Sequence, residues 1–216
     1  MRPTTSRRNR IHRVLAALAA ASMIGLLVAS PALARESVDP ATLNPPPPDF
    51  FNAQCYAGAA GTVCDLAFAD PANPIVDEPS GIICNGTEIL FSQNRFVVGK
   101  RFYDANGNLV QRHFRESFEG TLTNPDTGAV IAWSQHDTVL HNLSSPGDVD
   151  SGTIRFTGLM SRFYTTSGRT VLVDAGTMLV DNSTGEVLQA GGNHPLDDYF
   201  SGRDPEALQR LCDALA

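Results

Sequence analysis

Residues 108–141 read NLVQRHFRESFEGTLTNPDTGAVIAWSQHDTVLH. They hold two stretches that alternate in polarity, joined by a turn. Val110, Phe114, Phe118 and Leu122 share one face of an extended chain, and His113, Arg115, Ser117 and Glu119 share the other. The apolar face carries Arg112 and Glu116 with it. Asn124-Pro125-Asp126-Thr127-Gly128 is turn chemistry, its final Gly supplying a positive φ. The strand after it has Ile131, Trp133 and Val139 on its more apolar face, together with Gln135, Asp137 and His141. A four-residue turn at 125–128 sets Asp137 opposite Glu116, whereas a five-residue turn brings His136 there instead. A one-residue slip flips every side chain, so the sequence leaves both registers open.

The same texture runs outward from this hairpin. Short runs of Val, Ile, Phe, Thr and Tyr are separated by 104–107, 165–168 and 181–185, each ending in Gly. Strands are expected at 82–91, 95–104, 108–123, 129–141, 153–164, 169–180 and 186–191. Short connections make this an all-β antiparallel meander. The expected architecture is a 7–8 stranded barrel, because closure removes exposed edges, with a two-sheet β-sandwich as the alternative. Asp204-Pro205 reads as the start of a helix over 205–215 whose stripe is Leu208, Leu211, Cys212 and Leu215. In 153–164 the expected inward set is Ile154, Phe156, Gly158, Met160, Arg162 and Tyr164. In 169–180 it is Val171, Val173, Ala175, Thr177 and Leu179. A four-residue turn at 165–168 then sets Arg162 opposite Val171 and Phe156 opposite Thr177.

The chain has 216 residues, with 16 Lys and Arg against 23 Asp and Glu, a net charge of −7. Arg2, Arg7, Arg8, Arg10 and Arg13 precede an apolar run from Val14 to Ala29, and Ala32-Leu33-Ala34 follows. Basic, apolar, then A-x-A is the order of a secretory signal peptide over 1–34, and the run is short for a membrane span. The chain is therefore expected to be exported and to keep no membrane span after cleavage. Ser6-Arg7-Arg8 resembles a twin-arginine signal, so either the general or the twin-arginine route fits. The five arginines lie in this leader and no acid does. Eleven basic residues thus face 23 acidic ones from 35 onward, a charge of −12. That excludes an ordinary nucleic-acid binder.

Residues 35–50, with Pro45-Pro46-Pro47-Pro48, read as a linker, and 51–80 as a loop region stapled by cysteines. The barrel domain is then 81–216. Four cysteines in an exported chain read as two disulfides. Three pairings are possible. The expected one joins Cys55 to Cys64 locally and Cys84 to Cys212 across the domain. No C-x-x-C pair points to zinc, and no metal or other cofactor is expected.

Sequence motifs of the common hydrolases and nucleotide-binding enzymes are absent. Neighbours His136 and Asp137 face opposite ways in a strand. Gly191-Gly192-Asn193-His194-Pro195 reads as a turn, and Asn85, Asn142 and Asn182 begin glycosylation sequons. The expected site is the barrel interior, formed by Arg112, Glu116, Trp133, Asp137, Arg162 and Tyr164. A carboxyl between Phe114 and Phe118 has its pKa raised by desolvation or lowered by a nearby Arg.

Ala32-Leu33-Ala34, the Cys84 start to the meander, Tyr103-Asp104-Ala105-Asn106-Gly107-Asn108-Leu109-Val110 and the ending Leu211-Cys212-Asp213-Ala214-Leu215-Ala216 together resemble small exported proteins of high-GC Gram-positive bacteria. Strand count and size are similar to calycin and allene-oxide-cyclase-like barrels. The lipocalin Gly-x-Trp near the first strand is absent, since the single Trp is Trp133. The resemblance implies an exported barrel-like domain and brings no catalytic residue with it. The expected function is binding of a small apolar or amphipathic ligand. The alternatives are a barrel enzyme doing acid–base chemistry, which allene-oxide-cyclase-like barrels illustrate, and a cell-envelope protein with a packed core.

Overall fold

Asn85 and Gly86 have φ of 52° and 89°, the paired left-handed conformation of the tightest hairpin turn. That turn joins β4 (Ile75–Cys84) to β5 (Thr87–Tyr103). The Asn-Gly pair, read above only as a sequon, marks a strand boundary. The two strands expected at 82–91 and 95–104 are the end of β4 and one continuous 17-residue strand.

The structure, a computed structural model, describes residues 35–69, 74–196 and 206–216. The expected leader and the Asp204-Pro205 helix start lie outside them. Around β5 stand β1 (Ser37–Val38), β2 (Asn52–Gly58), β3 (Gly61–Ala69), β6 (Leu109–Thr123), β7 (Val130–Asn142), β8 (Thr153–Thr165), β9 (Thr170–Asp181) and β10 (Val187–Asn193). The order is β1-β2-β3-β5-β6-β7-β8-β9-β10, and β4 pairs with β5. One edge of β5 serves two partners in turn, β4 along Thr87–Gln93 and β3 along Phe96–Tyr103. All pairings between these strands are antiparallel. The hydrogen-bonded path begins at β1 and ends at β10, with no pairing between them among the described residues. The fold is an antiparallel all-β sheet with a helix, α1 (Ala207–Ala214). The expected closed barrel is not formed by hydrogen bonds.

Two other expectations are corrected. Residues 51–80 are largely strand, because β2 and β3 pair along their length and β3 continues onto β5. Their Ala, Gly and Asp content hid a segment held by its partners rather than by propensity. The proline run is docked rather than a spacer. Pro45 O accepts from Tyr103 Oη at 3.1 Å, and Pro46 O accepts from Arg101 Nη1 at 3.1 Å.

Both disulfides pair as expected, Cys55 with Cys64 and Cys84 with Cys212. Each anchors an apolar cluster. Cys55, Cys64, Leu66, Tyr103, Leu109 and Leu43 form one. Cys84, Ile89, Leu122, Ile131, Phe163 and Leu172 form the other, beneath Ala207, Leu211, Cys212 and Leu215 of the C-terminal segment. Asn124 Nδ2 and Thr127 Oγ1, in the β6–β7 turn, donate to Leu215 O at 2.9 and 3.1 Å. That carbonyl lies just past the end of α1, where no helical donor remains.

Candidate functional site between the two clusters

Asn124 accepts from Gly128 N, and Asn124 N donates to Ala129 O, so four residues make the β6–β7 turn. Glu116 therefore lies opposite Asp137, the first of the two registers above. Opposed residues share a face and stand about 5 Å apart at Cβ. Along β6 this face carries Phe114 and Phe118 on either side of Glu116, and along β7 it carries Gln135 and Val139 around Asp137. Val97 of β5 completes the row on one side.

On the other side the row continues through glycine. Asp137 opposes Gly158, Gly158 opposes Gly176, and Gly176 opposes Gly192. Gly176 has φ of 144°, and a Cβ there would lie 2.2 Å from Gly191 O. No other residue fits that approach. Beside this line β8 is irregular, with shifts between Ser134 and His136 on β7 and between Leu159 and Ser161 on β8. A bulge adds one residue and exchanges the faces beyond it.

That exchange redistributes the expected site. Past the bulge, Ser161 and Phe163 face the core, while Arg162 is exposed. Arg162 donates from Nη2 to Thr170 Oγ1 at 3.1 Å and stands 5.4 Å over the Tyr164 ring. Arg162 and Tyr164 are therefore on the opposite face from Glu116. Arg162 opposes Val173 and Phe156 opposes Met178, not Val171 and Thr177. The inward residues of β9 are Leu172, Asp174, Gly176 and Met178.

Arg112 is on the core face but belongs to the Leu109 end. Its Nε donates to His141 Nδ1 at 3.0 Å, and Nη2 also approaches that nitrogen. His141 Nε2 then donates to Ser151 O at 2.7 Å, so the ring is neutral with its proton on Nε2. Burial pushes its pKa down, in keeping with that form. Burial likewise lowers the Arg112 pKa, with Arg101 adding to the effect.

Glu116 and Asp137 remain together, whereas Trp133, opposite Gly120 and four residues along β7 from Asp137, packs against the cluster beneath α1. The Trp133 indole lies against Gly120, where an added Cβ would be 2.6 Å from Nε1. Its buried N–H has no acceptor among the described residues. Asp137 is 5% exposed. Its Oδ1 accepts from Gln135 Nε2 at 3.0 Å, and its buried Oδ2 has no partner. Burial first, and the Asp137 carboxylate second, raise the Glu116 pKa to about 7. Burial raises the Asp137 pKa as well, against the Gln135 hydrogen bond that lowers it. Charge on Asp137 therefore opposes ionisation of Glu116 across the rung.

Two residues missed by the sequence reading extend this polar track. Ser161, 8% exposed, opposes Asp174, and its Oγ has no partner. Asp174 Oδ1 accepts from His194 Nδ1 at 3.0 Å, and His194 Nε2 is 3.2 Å from Gly191 O. Both ring nitrogens face acceptors, the geometry of an imidazolium. Burial, the largest single effect, would lower the His194 pKa, but the Asp174 hydrogen bond and charge and the hydrogen bonds to backbone together outweigh it and raise the pKa. Gly158 and Gly176 inside strand patterns were the available signal for the bulge that brings Ser161 inward, opposite Asp174.

Among the described residues no three His, Cys, Asp or Glu side chains cluster as metal ligands, and no helix is long and apolar enough to cross a membrane. Two disulfides suit an oxidising environment. The chain matches no family model, no curated protein and no solved structure.

Proposed function

We propose that this is an exported domain that binds a small amphipathic ligand on its core face, between the two apolar clusters. The unpartnered Oδ2 of Asp137 carries the reading. A buried carboxylate oxygen without a donor costs free energy unless something supplies one. The surroundings support it. Phe114, Glu116, Phe118, Val139, Phe156 and Met178 are only half-buried, whereas Leu109 and Ile131 at the two ends are fully buried. A half-open apolar face with a few converging polar groups is the usual make-up of a ligand site. We further infer that the sheet coils towards a calycin-like barrel, since bulges and the glycine row sharpen its twist.

Native mass spectrometry of the exported protein from its own host tests this. The expected mass is that of residues 35–216 with two disulfides plus one retained small molecule, which Asp137→Asn loses. Bare protein from both forms would overturn the reading and leave the packed-core envelope protein ahead.

Glu116 favours a second reading. A carboxyl near 7 is suited to exchange protons at neutral pH, as a general acid or base requires. If the retained molecule is a reactant, Glu116→Gln stops its turnover without releasing it. Unchanged turnover in that variant would remove the enzyme reading.

A further inference from the structure

We propose that the ligand is an amphipathic organic cation, an amine or quaternary ammonium seated between Glu116 and Asp137 with its apolar body along Phe114, Phe118 and Phe156. The proposal rests on the ligand-binding reading above and adds the sign of the ligand's charge.

The argument starts from the charges on this face. Arg95 of β5 stands 5.3 Å over the Phe68 ring. Arg101 donates to Pro46 O, and Arg112 donates to His141. On β9, Asp174 is held by His194. His136, beside Asp137, belongs to the outer face, where it meets Ser117. Among the described residues neither Glu116 nor Asp137 is in an ion pair. The two carboxylates therefore repel each other across one rung, with no cation of the described residues paired to either.

Each class of ligand acts differently on that pair. An anionic ligand adds a third like charge. A neutral ligand can satisfy Asp137 Oδ2 but leaves the repulsion in place. A cation lets both carboxylates ionise and offsets their desolvation. Phe114 and Phe118 flank Glu116 along β6, and ring faces attract ammonium groups. The net charge of −12 over residues 35–216 raises the local concentration of cations as well. Because Glu116 holds its proton up to about pH 7, a cation must displace that proton at lower pH. Affinity for a non-titrating cation then rises from pH 5.5 to 8 and levels off above.

Three ten-carbon probes test the proposal on the disulfide-intact protein, below their micelle concentrations: decyltrimethylammonium, decan-1-ol and decanoate. Binding is read by calorimetry and by the fluorescence of Trp133, the single Trp. The expected result at pH 7.5 is that the ammonium binds about tenfold or more tighter than the alcohol, a difference of about 1.4 kcal/mol, with decanoate weakest. The preference shrinks at pH 5.5, and Glu116→Gln/Asp137→Asn abolishes it while alcohol binding remains. Should the double variant not fold, Glu116→Gln alone is expected to lose the pH dependence. If the alcohol binds as well as the ammonium, the cation proposal falls and the ligand reading stands. If the double variant keeps the preference, or Glu116→Gln keeps the pH dependence, the effect belongs to overall charge and the proposal falls. If no probe binds, both fall.

Discussion

The end of the core face beneath α1 and the middle of that face are built from the same strands, yet they differ in kind. At the α1 end, Ile89, Leu122, Ile131 and Leu172 meet the helix and a disulfide, and Asn124 caps Leu215 O, although the Trp133 N–H beside this cluster stays unpaired. A few residues along the same strands, Asp137 and Ser161 keep unpaired polar atoms and Glu116 a raised pKa among half-buried side chains. The ends hold the folding free energy, so the middle is free to carry groups that lower stability. Unsatisfied buried polar atoms persist where some role outside folding keeps them.

The largest way to break the contrast is to open the α1 end. Cys84 and Cys212 are 128 residues apart, whereas Cys55 and Cys64 are nine apart. Loop-closure entropy makes the long link worth about 5 kcal/mol and the short one about 3 kcal/mol. Denaturant unfolding of Cys84→Ala/Cys212→Ala and Cys55→Ala/Cys64→Ala checks this. Equal losses would mean that the helix holds its place without the covalent tie.

A smaller effect sharpens the comparison within the face. Leu211 has no exposed surface, so Leu211→Ala is expected to lose about 3 kcal/mol. Phe118, half-buried beside Glu116, leaves little new cavity when truncated. Phe118→Ala is expected to lose about 1 kcal/mol, on the grounds that solvent already reaches that side chain. A loss at Phe118 as large as at Leu211 would mean that the middle is sealed, against the ligand reading.

How far the sequence foretold this arrangement differs from strand to strand. The β6–β7 hairpin and the apolar face of β6 were legible, but the register was not: Asn124–Gly128 fits a turn of either length, and only the turn's backbone hydrogen bonds set Asp137 opposite Glu116. The C-terminal stripe of Leu211, Cys212 and Leu215 was legible for a similar reason, since a helical period needs only local sequence. β8 was not legible. Its alternation reads smoothly through Arg162, and only the bulge after Gly158 turns Arg162 and Tyr164 outward and draws Ser161 in, while a register one residue from the expected one puts Asp174 of β9 inward. A bulge is decided by how strands meet, which no single strand records. β2 and β3 escaped because their side chains are small and their strand form comes from their neighbours on β5.

The smallest effect tests the middle of the face on its own terms. Glu116 has its pKa raised from 4.5 to about 7 on folding, by burial and by Asp137. The folded protein therefore holds that proton more tightly than the unfolded chain does. The favourable contribution is complete below about pH 4.5, declines as pH rises towards 7, and is lost above it. The full shift corresponds to about 3 kcal/mol at 1.36 kcal/mol per pKa unit. Glu116 is only partly buried, and solvent screening reduces this to about 1–2 kcal/mol. Glu116→Gln removes the titration while keeping the shape. Its stability is expected to match the wild type near pH 4.5 and to exceed it by about 1–2 kcal/mol at pH 8. The difference between the two proteins matters here, because the 23 acidic residues impose their own pH dependence on both. A gain that is absent, or constant from pH 4 to 8, would show that Glu116 ionises freely in the folded protein. The titration of Glu116 would then no longer set the middle of the face apart from its ends, and the contrast between them would be one of exposure alone.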